Sequence, residues 1–253
     1  MVRKARSTQR REDSLSRESI IEASIELLDS RGEGGLTFRT LSKRLATGPG
    51  AIYWHIANKS ELLTAACDAI VARTMEGTLS GAKPKANLRA LALGMFDAID
   101  AHPWVGSALA QAPAEMPMVR ILERLGRQIR ALGVEDDTQW AVVGALLNYI
   151  LGVGGQNAAN VQLARARGLD RSDFLEAVAT AWSQLDPDEY PFTRSVARQM
   201  RAHDDRLDFL AGIDLILRGI DSPRRRSSSQ VDMLQSGSPR QHIYRNKGSG
   251  KPR

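Results

Sequence analysis

Apolar positions along this chain recur at intervals of three and four, the spacing of one face of an α-helix. Ile20, Ala23 and Leu27, with Ile21, Ile25 and Leu28 beside them, form a broad first stripe. Ser16 stands where an N-cap belongs, with Leu15 and Ile20 placed as a hydrophobic staple. Arg31-Gly32 supplies the stop. Leu36, Leu41 and Leu45 continue the spacing in a shorter segment that opens at Thr37, a second N-cap, and breaks at Ala46-Thr47-Gly48. Gly48-Pro49 then starts a very short helix ending in Tyr53-Trp54-His55, with Pro49 at the first helical position. Asn58 and Glu61 form a capping-box-like start for a long helix through Leu62, Leu63, Ala66 and Ile70 to about residue 79. The run Ser80-Gly81-Ala82-Lys83-Pro84 reads as a boundary.

No strand pattern appears beyond Pro84. Helices are expected at about 84–101, 104–112, 117–132, 136–164, 171–184, 193–201 and 205–219. Breaks fall at His102-Pro103, Pro113 to Pro117, Gly133, Gly168 and Asp186-Pro187 to Pro191. The predicted class is all-α, with several helices around one core in the second part.

Two short helices with a tight turn make a helix-turn-helix, whose second helix offers its first residues to the major groove. Here those residues are Gly48, Pro49, Gly50 and Ala51, small enough for close backbone approach. The rings of Tyr53, Trp54 and His55 follow, with tips suited to phosphate oxygens or base edges. From Gly34 to Ser60 there is no Asp or Glu, while Arg39, Lys43, Arg44 and Lys59 are basic. In a chain that is 25% charged, such a window fits a surface that must face phosphates. Phe38 reads as a core residue. Lys59 lies in a first helical turn, where the helix dipole disfavours a cation, which fits a side chain aimed at a phosphate.

These residues resemble the DNA-binding domain of the tetracycline-repressor (TetR) family. The likeness rests on Leu36-Thr37, Arg39, Leu41, the run Gly50-Ala51-Ile52-Tyr53-Trp54-His55 and Asn58-Lys59. It is specific over about residues 17–80 and looser over about 81–220. The family's turn usually reads Gly-Val; this chain has Ala46-Thr47, with Gly48 at hand for the glycine's role. The candidate DNA contacts are Thr37, Arg39, Thr47, Gly48, Pro49, Gly50, Ala51, Tyr53, Trp54, His55 and Lys59.

The resemblance implies a three-helix helix-turn-helix head followed by a larger helical domain that dimerises and binds a small-molecule effector. It also implies that helices 136–164 and 205–219 pair with their symmetry mates. Their glycines suit a close approach of backbones, and from the sequence alone both helices are equally well internal core. The expected organisation is a basic arm at 1–16, the head with its linking helix at 17–80, the effector and dimerisation domain at 81–220, and a basic tail at 221–253. Candidate ligand residues are His102, Trp104 and Trp140, large or polar rings, and Asn148, Gln156 and Asn157, amides in otherwise apolar stretches.

Charge refines this picture. The net charge of +6 comes from the ends, +4 over residues 1–17 and +7 over 222–253, while residues 18–221 carry −5. Whole-chain basicity is therefore weak evidence for nucleic acid, and the acid-free window is stronger evidence. The basic arm is positioned either to reach a minor groove or to stay solvated. The Ser/Gly/Pro/Arg-rich tail is expected not to pack.

The single cysteine, Cys67, excludes an internal disulfide and a cysteine zinc site, and is expected to pack as a small apolar residue. His55, His102, His203 and His242 form no HxxxH or HExxH pair, and there is no GxSxG, Walker loop or GxGxxG. No enzyme, metal or cofactor is expected. Without an apolar run of about 18 residues or a leader core, the expectation is a cytoplasmic protein off the membrane. The predicted function is an effector-responsive transcription regulator, a repressor, binding a palindromic double-stranded DNA operator as a homodimer. The alternative is a basic DNA-coating protein that binds through its tails without sequence preference.

Overall fold

The computed structural model describes residues 15–76 and 83–221. The basic arm, the residues about the boundary at 80 and the basic tail lie outside the described residues. Among the described residues there are eleven helices and no strand. They are α1 (Arg17–Gly35), α2 (Phe38–Arg44), α3 (Pro49–Tyr53), α4 (Lys59–Glu76), α5 (Pro84–Ala101), α6 (Trp104–Gln111), α7 (Met116–Ala131), α8 (Asp136–Ala166), α9 (Arg171–Ser183), α10 (Pro191–Met200) and α11 (Asp205–Asp221).

Local chemistry sets the limits of these helices. The Ser16 hydroxyl accepts from the Ser19 N–H and the Ser19 hydroxyl accepts from the Ser16 N–H, which closes the first capping box. Thr37 and Thr40 repeat the arrangement at α2. Asn58 Oδ1 accepts from the Glu61 N–H at 2.9 Å, and the Glu61 carboxylate accepts from the Ala57 N–H at 2.9 Å. Gly32 breaks the regular path of α1 with φ 64°, the left-handed conformation that glycine adopts without penalty. Pro191, read from the sequence as part of a break, instead occupies the first position of α10, where its missing N–H has no partner to lose.

The turn between α2 and α3 departs from the expectation for Gly48. Gly48 has φ −82° and caps α3 in an extended conformation. The left-handed position falls on Ala46, with φ 49°.

One hydrophobic core runs through α1 to α8 and includes α11. Ile20, Leu28, Leu36, Leu41, Ile52 and Leu62 fill the α1–α4 end, and Leu88, Phe96, Ile129, Ile150 and Ile213 continue it. Phe209 stacks between Phe96 and Tyr149, at ring-centre distances of 4.6 and 5.5 Å. The Tyr149 hydroxyl donates to the Phe209 carbonyl at 3.2 Å. Cys67 is buried and reduced, as a small apolar residue would be. Among the described residues no helix is long and apolar enough to cross a membrane.

Candidate nucleic-acid interface

The surface of α2 and α3 is built on a buried underside of Leu41 and Ile52, with Ile56 just beyond α3. With those side chains turned inward, Arg39 and Lys43 of α2 point outward, exposed and without a partner among the described residues. Gly48, Pro49 and Gly50 are exposed at the start of α3. A Cβ built on Gly48 or Gly50 meets nothing within 4 Å. The fold itself therefore does not demand small residues there; an object docking from outside would.

Tyr53 lies flat on Phe38, ring centres 4.2 Å apart and planes 8° from parallel. This stack fixes the tyrosine while leaving it 53% exposed, and it makes half-buried Phe38 a support for the surface. Trp54 is 89% exposed and His55 is exposed beside it. Ala51 and Thr47 are half-buried, and the Thr47 N–H donates to the Ser42 carbonyl at 3.0 Å. An indole left almost wholly in water, on a surface without carboxylates, is an apolar feature suited to a partner.

The side chains of two candidate residues, Thr37 and Lys59, have structural partners. The Thr37 hydroxyl is the N-cap of α2, accepting from the Thr40 N–H. Lys59 donates Nζ to the Glu33 carbonyl at 2.6 Å, at the C-terminal end of α1, where a cation is favourable. Arg44, basic within the acid-free window but not a candidate contact, pairs with Glu26 of α1.

The six candidate ligand residues do not meet in one cavity. His102 and Trp104 converge on Asp29 of α1, at 2.8 and 2.7 Å. Asn157 donates to Asp100 at 2.8 Å. Trp140 is 72% exposed, and Asn148 and Gln156 are exposed on α8. A cavity of about 110 Å³ lies instead between α4, α6 and α7, lined by Leu63, Thr64, Cys67, Leu109, Gln111 and Pro117 among others. None of the six lines it. Three helices distant in sequence make this cavity, so no local pattern announces it. Among the described residues no group of three His, Cys, Asp or Glu is placed to hold a metal ion.

Comparison with known proteins gives this geometry its context. Residues 20–66 match the family model for bacterial regulatory proteins of the tetR family. Residues 81–223 match the tetracyclin repressor-like C-terminal domain. The solved transcriptional regulator SCO7222, a TetR from Streptomyces coelicolor, is 53% identical with a TM-score of 0.74, over 82% of this chain and 98% of that one. The HTH-type transcriptional repressor DrrR1 of Streptomyces coeruleorubidus is 26% identical over 212 residues, 82% of this chain and 77% of its own length. The class D tetracycline repressor of Escherichia coli is 43% identical over 68 residues, 27% of this chain and 31% of that protein. The head with its exposed, acid-free α2–α3 surface and the helical region that follows thus both match one family, and the chain belongs to the TetR family of DNA-binding transcriptional regulators.

Proposed function

We propose that this regulator is a repressor that binds a palindromic operator as a homodimer and leaves it when a small-molecule effector binds. One observation carries the DNA part of this reading: the α2–α3 surface combines Arg39 and Lys43, which have no side-chain partner among the described residues, open Gly48-Pro49-Gly50, and stacked Tyr53 beside exposed Trp54. In a helix-turn-helix the N-terminus of the second helix enters the major groove, and the cations and ring tips around it hold phosphates.

The dimer reading is supported by what α8 and α11 leave uncovered. Val143, Ile150, Phe209, Ile213 and Leu217 face the protomer's own core. The outward faces carry Trp140, Ala141, Ala145, Asn148 and Gly152 on α8, and Leu207, Ala211, Leu215 and Gly219 on α11. This is an apolar and small-residue surface on two neighbouring helices, suited to an isologous contact with a second copy. Two heads related by a two-fold axis then read two half-sites one DNA turn apart.

The cavity between α4, α6 and α7 is the seat we assign to the effector. It borders α4, which begins four residues after His55, so a ligand that favours one packing of α4 shifts the heads. Residues 17–80 form the head in this reading and 81–220 the effector and dimerisation part.

The test is selection of a duplex from a random pool, followed by substitution. Arg39→Ala, Lys43→Ala and Tyr53→Ala each weaken binding to the selected duplex by about tenfold, taking roughly 1–3 kcal/mol per good DNA contact. Arg127→Ala, at a solvent-exposed pair on α7, leaves it unchanged. A wild-type chain that selects no sequence, or that loses its affinity when residues 222–253 are removed, is the coating protein instead.

A further inference from the structure

The cluster around Asp29 is not used by the DNA surface, the dimer face or the cavity. Asp29 lies on α1, and its Oδ1 receives two hydrogen bonds from the start of the effector part. The Trp104 Nε1–H donates at 2.7 Å, and His102 Nδ1 lies at 2.8 Å. A carboxylate only accepts, so the His102 proton sits on Nδ1. Trp104 is the first residue of α6 and is only 5% exposed, while its acceptor Asp29 lies at the surface. One turn further along α1, Glu33 Oε1 accepts from the Ser107 hydroxyl at 2.8 Å, and Ser107 is also on α6. The carbonyl of the same Glu33 receives Lys59 Nζ at the start of α4. The last turns of α1 are thus fastened to α6 by two carboxylates and to α4 by one carbonyl.

Directional hydrogen bonds do not stretch. A shift of α6 by about an ångström either carries the end of α1 with it or breaks the Asp29 contacts. α6 also supplies Leu109 and Gln111 to the cavity wall. The head's core packs on α1, with Ile20, Leu27 and Leu28 in one cluster with Leu41 and Ile52.

We infer that Asp29 is a positioning residue: through His102 and Trp104 it transmits the position of α6 to the head and so sets affinity for the operator. This rests on the operator-binding reading above.

The experiment measures the affinity of full-length protein for the duplex the wild type selects and for a scrambled duplex, at one salt concentration. Asp29→Asn, Trp104→Phe and the double variant are compared with wild type. Trp104→Phe keeps most of the ring packing and removes the N–H, so it serves if Asp29→Asn folds poorly. The expected result is a loss of about tenfold for the selected duplex in each single variant, the middle of the usual range for coupled sites. The double variant loses no more than either single, because both cut one joint. Affinity for the scrambled duplex stays at the wild-type value. A partly unfolded sample lowers both affinities together, and so is told apart from mispositioned heads. Single variants that bind the selected duplex as wild type does, or a double variant whose loss is the product of the two, overturn the inference. A wild type without preference for any duplex overturns the operator reading instead.

Discussion

Ala46 holds a conformation that costs an L-residue energy. Its φ of 49° crowds Cβ against the following carbonyl, and backbone hydrogen bonds from the Ala46 N–H to the Lys43 carbonyl and from the Thr47 N–H to the Ser42 carbonyl hold the turn. Ala46→Gly should therefore raise stability by about 1 kcal/mol, read as a higher midpoint in thermal unfolding, with operator affinity unchanged. Cys67 gives a second prediction at this scale. Burial, aided by the neighbouring Asp68 charge, pushes its thiol from the ordinary 9.0 up to about 12. Folding thus favours the protonated form. Its contribution is full below about pH 9 and falls through pH 9 to 12, by up to about 1.4 kcal/mol per pH unit once the unfolded thiol has ionised. Cys67→Ala should flatten that alkaline limb in urea titrations, and the native thiol should resist alkylation at pH 8 until the chain is unfolded. At the residue scale the sequence was most legible where the physics is local. Ser16, Thr37 and Asn58 cap the helices they precede, because a cap needs only the next three residues. Asp29 was not legible, because its partners His102 and Trp104 lie more than seventy residues away.

The pairing of α8 with α11 turns on one close contact. Gly212 of α11 lies against the Tyr149 ring, and a Cβ built there would overlap the tyrosine hydroxyl and ring carbons. Gly212→Ala should cost about 1–3 kcal/mol through forced repacking. Chemical denaturation reads this as a lowered midpoint, and Tyr149→Ala should make the same substitution much less costly. Gly154 on α8 is the other tight glycine there, with Ile99 filling the space at 3.1 Å. A Cβ built on Gly144, Gly152 or Gly155 meets nothing within 4 Å, so among the described residues nothing calls for their small size. The glycine pattern in these helices was therefore legible as a sign of close approach, while which glycines serve the core and which face outward depends on helix rotation. Most helix limits from α5 onward were readable to within about two residues, because proline, glycine and caps punctuate the chain, whereas α1 runs on to Gly35 past the expected stop at Arg31-Gly32. Pro191 misled only in being read as a stop when it opens α10.

At the scale of the molecule, the proposed function joins three surfaces: the exposed, acid-free α2–α3 surface of the head, a cavity beside α4, and an apolar face on α8 and α11. The head was visible in sequence as an acid-free window, and the resemblance it carries extended, more loosely, to about residue 220. The cavity and the joint at Asp29 were invisible, since both arise where distant helices meet. Leu215→Glu, on the outward face of α11, should convert a dimer to monomers in sedimentation and weaken operator binding far more than it weakens folding. The most direct measurement of the central claim is the stoichiometry and sequence preference of the complex across a salt series. The account predicts two chains per selected duplex, a preference over scrambled DNA that persists as salt rises, and loss of that preference in Tyr53→Ala. One chain per site, or affinity that follows salt alone and ignores sequence, would contradict it.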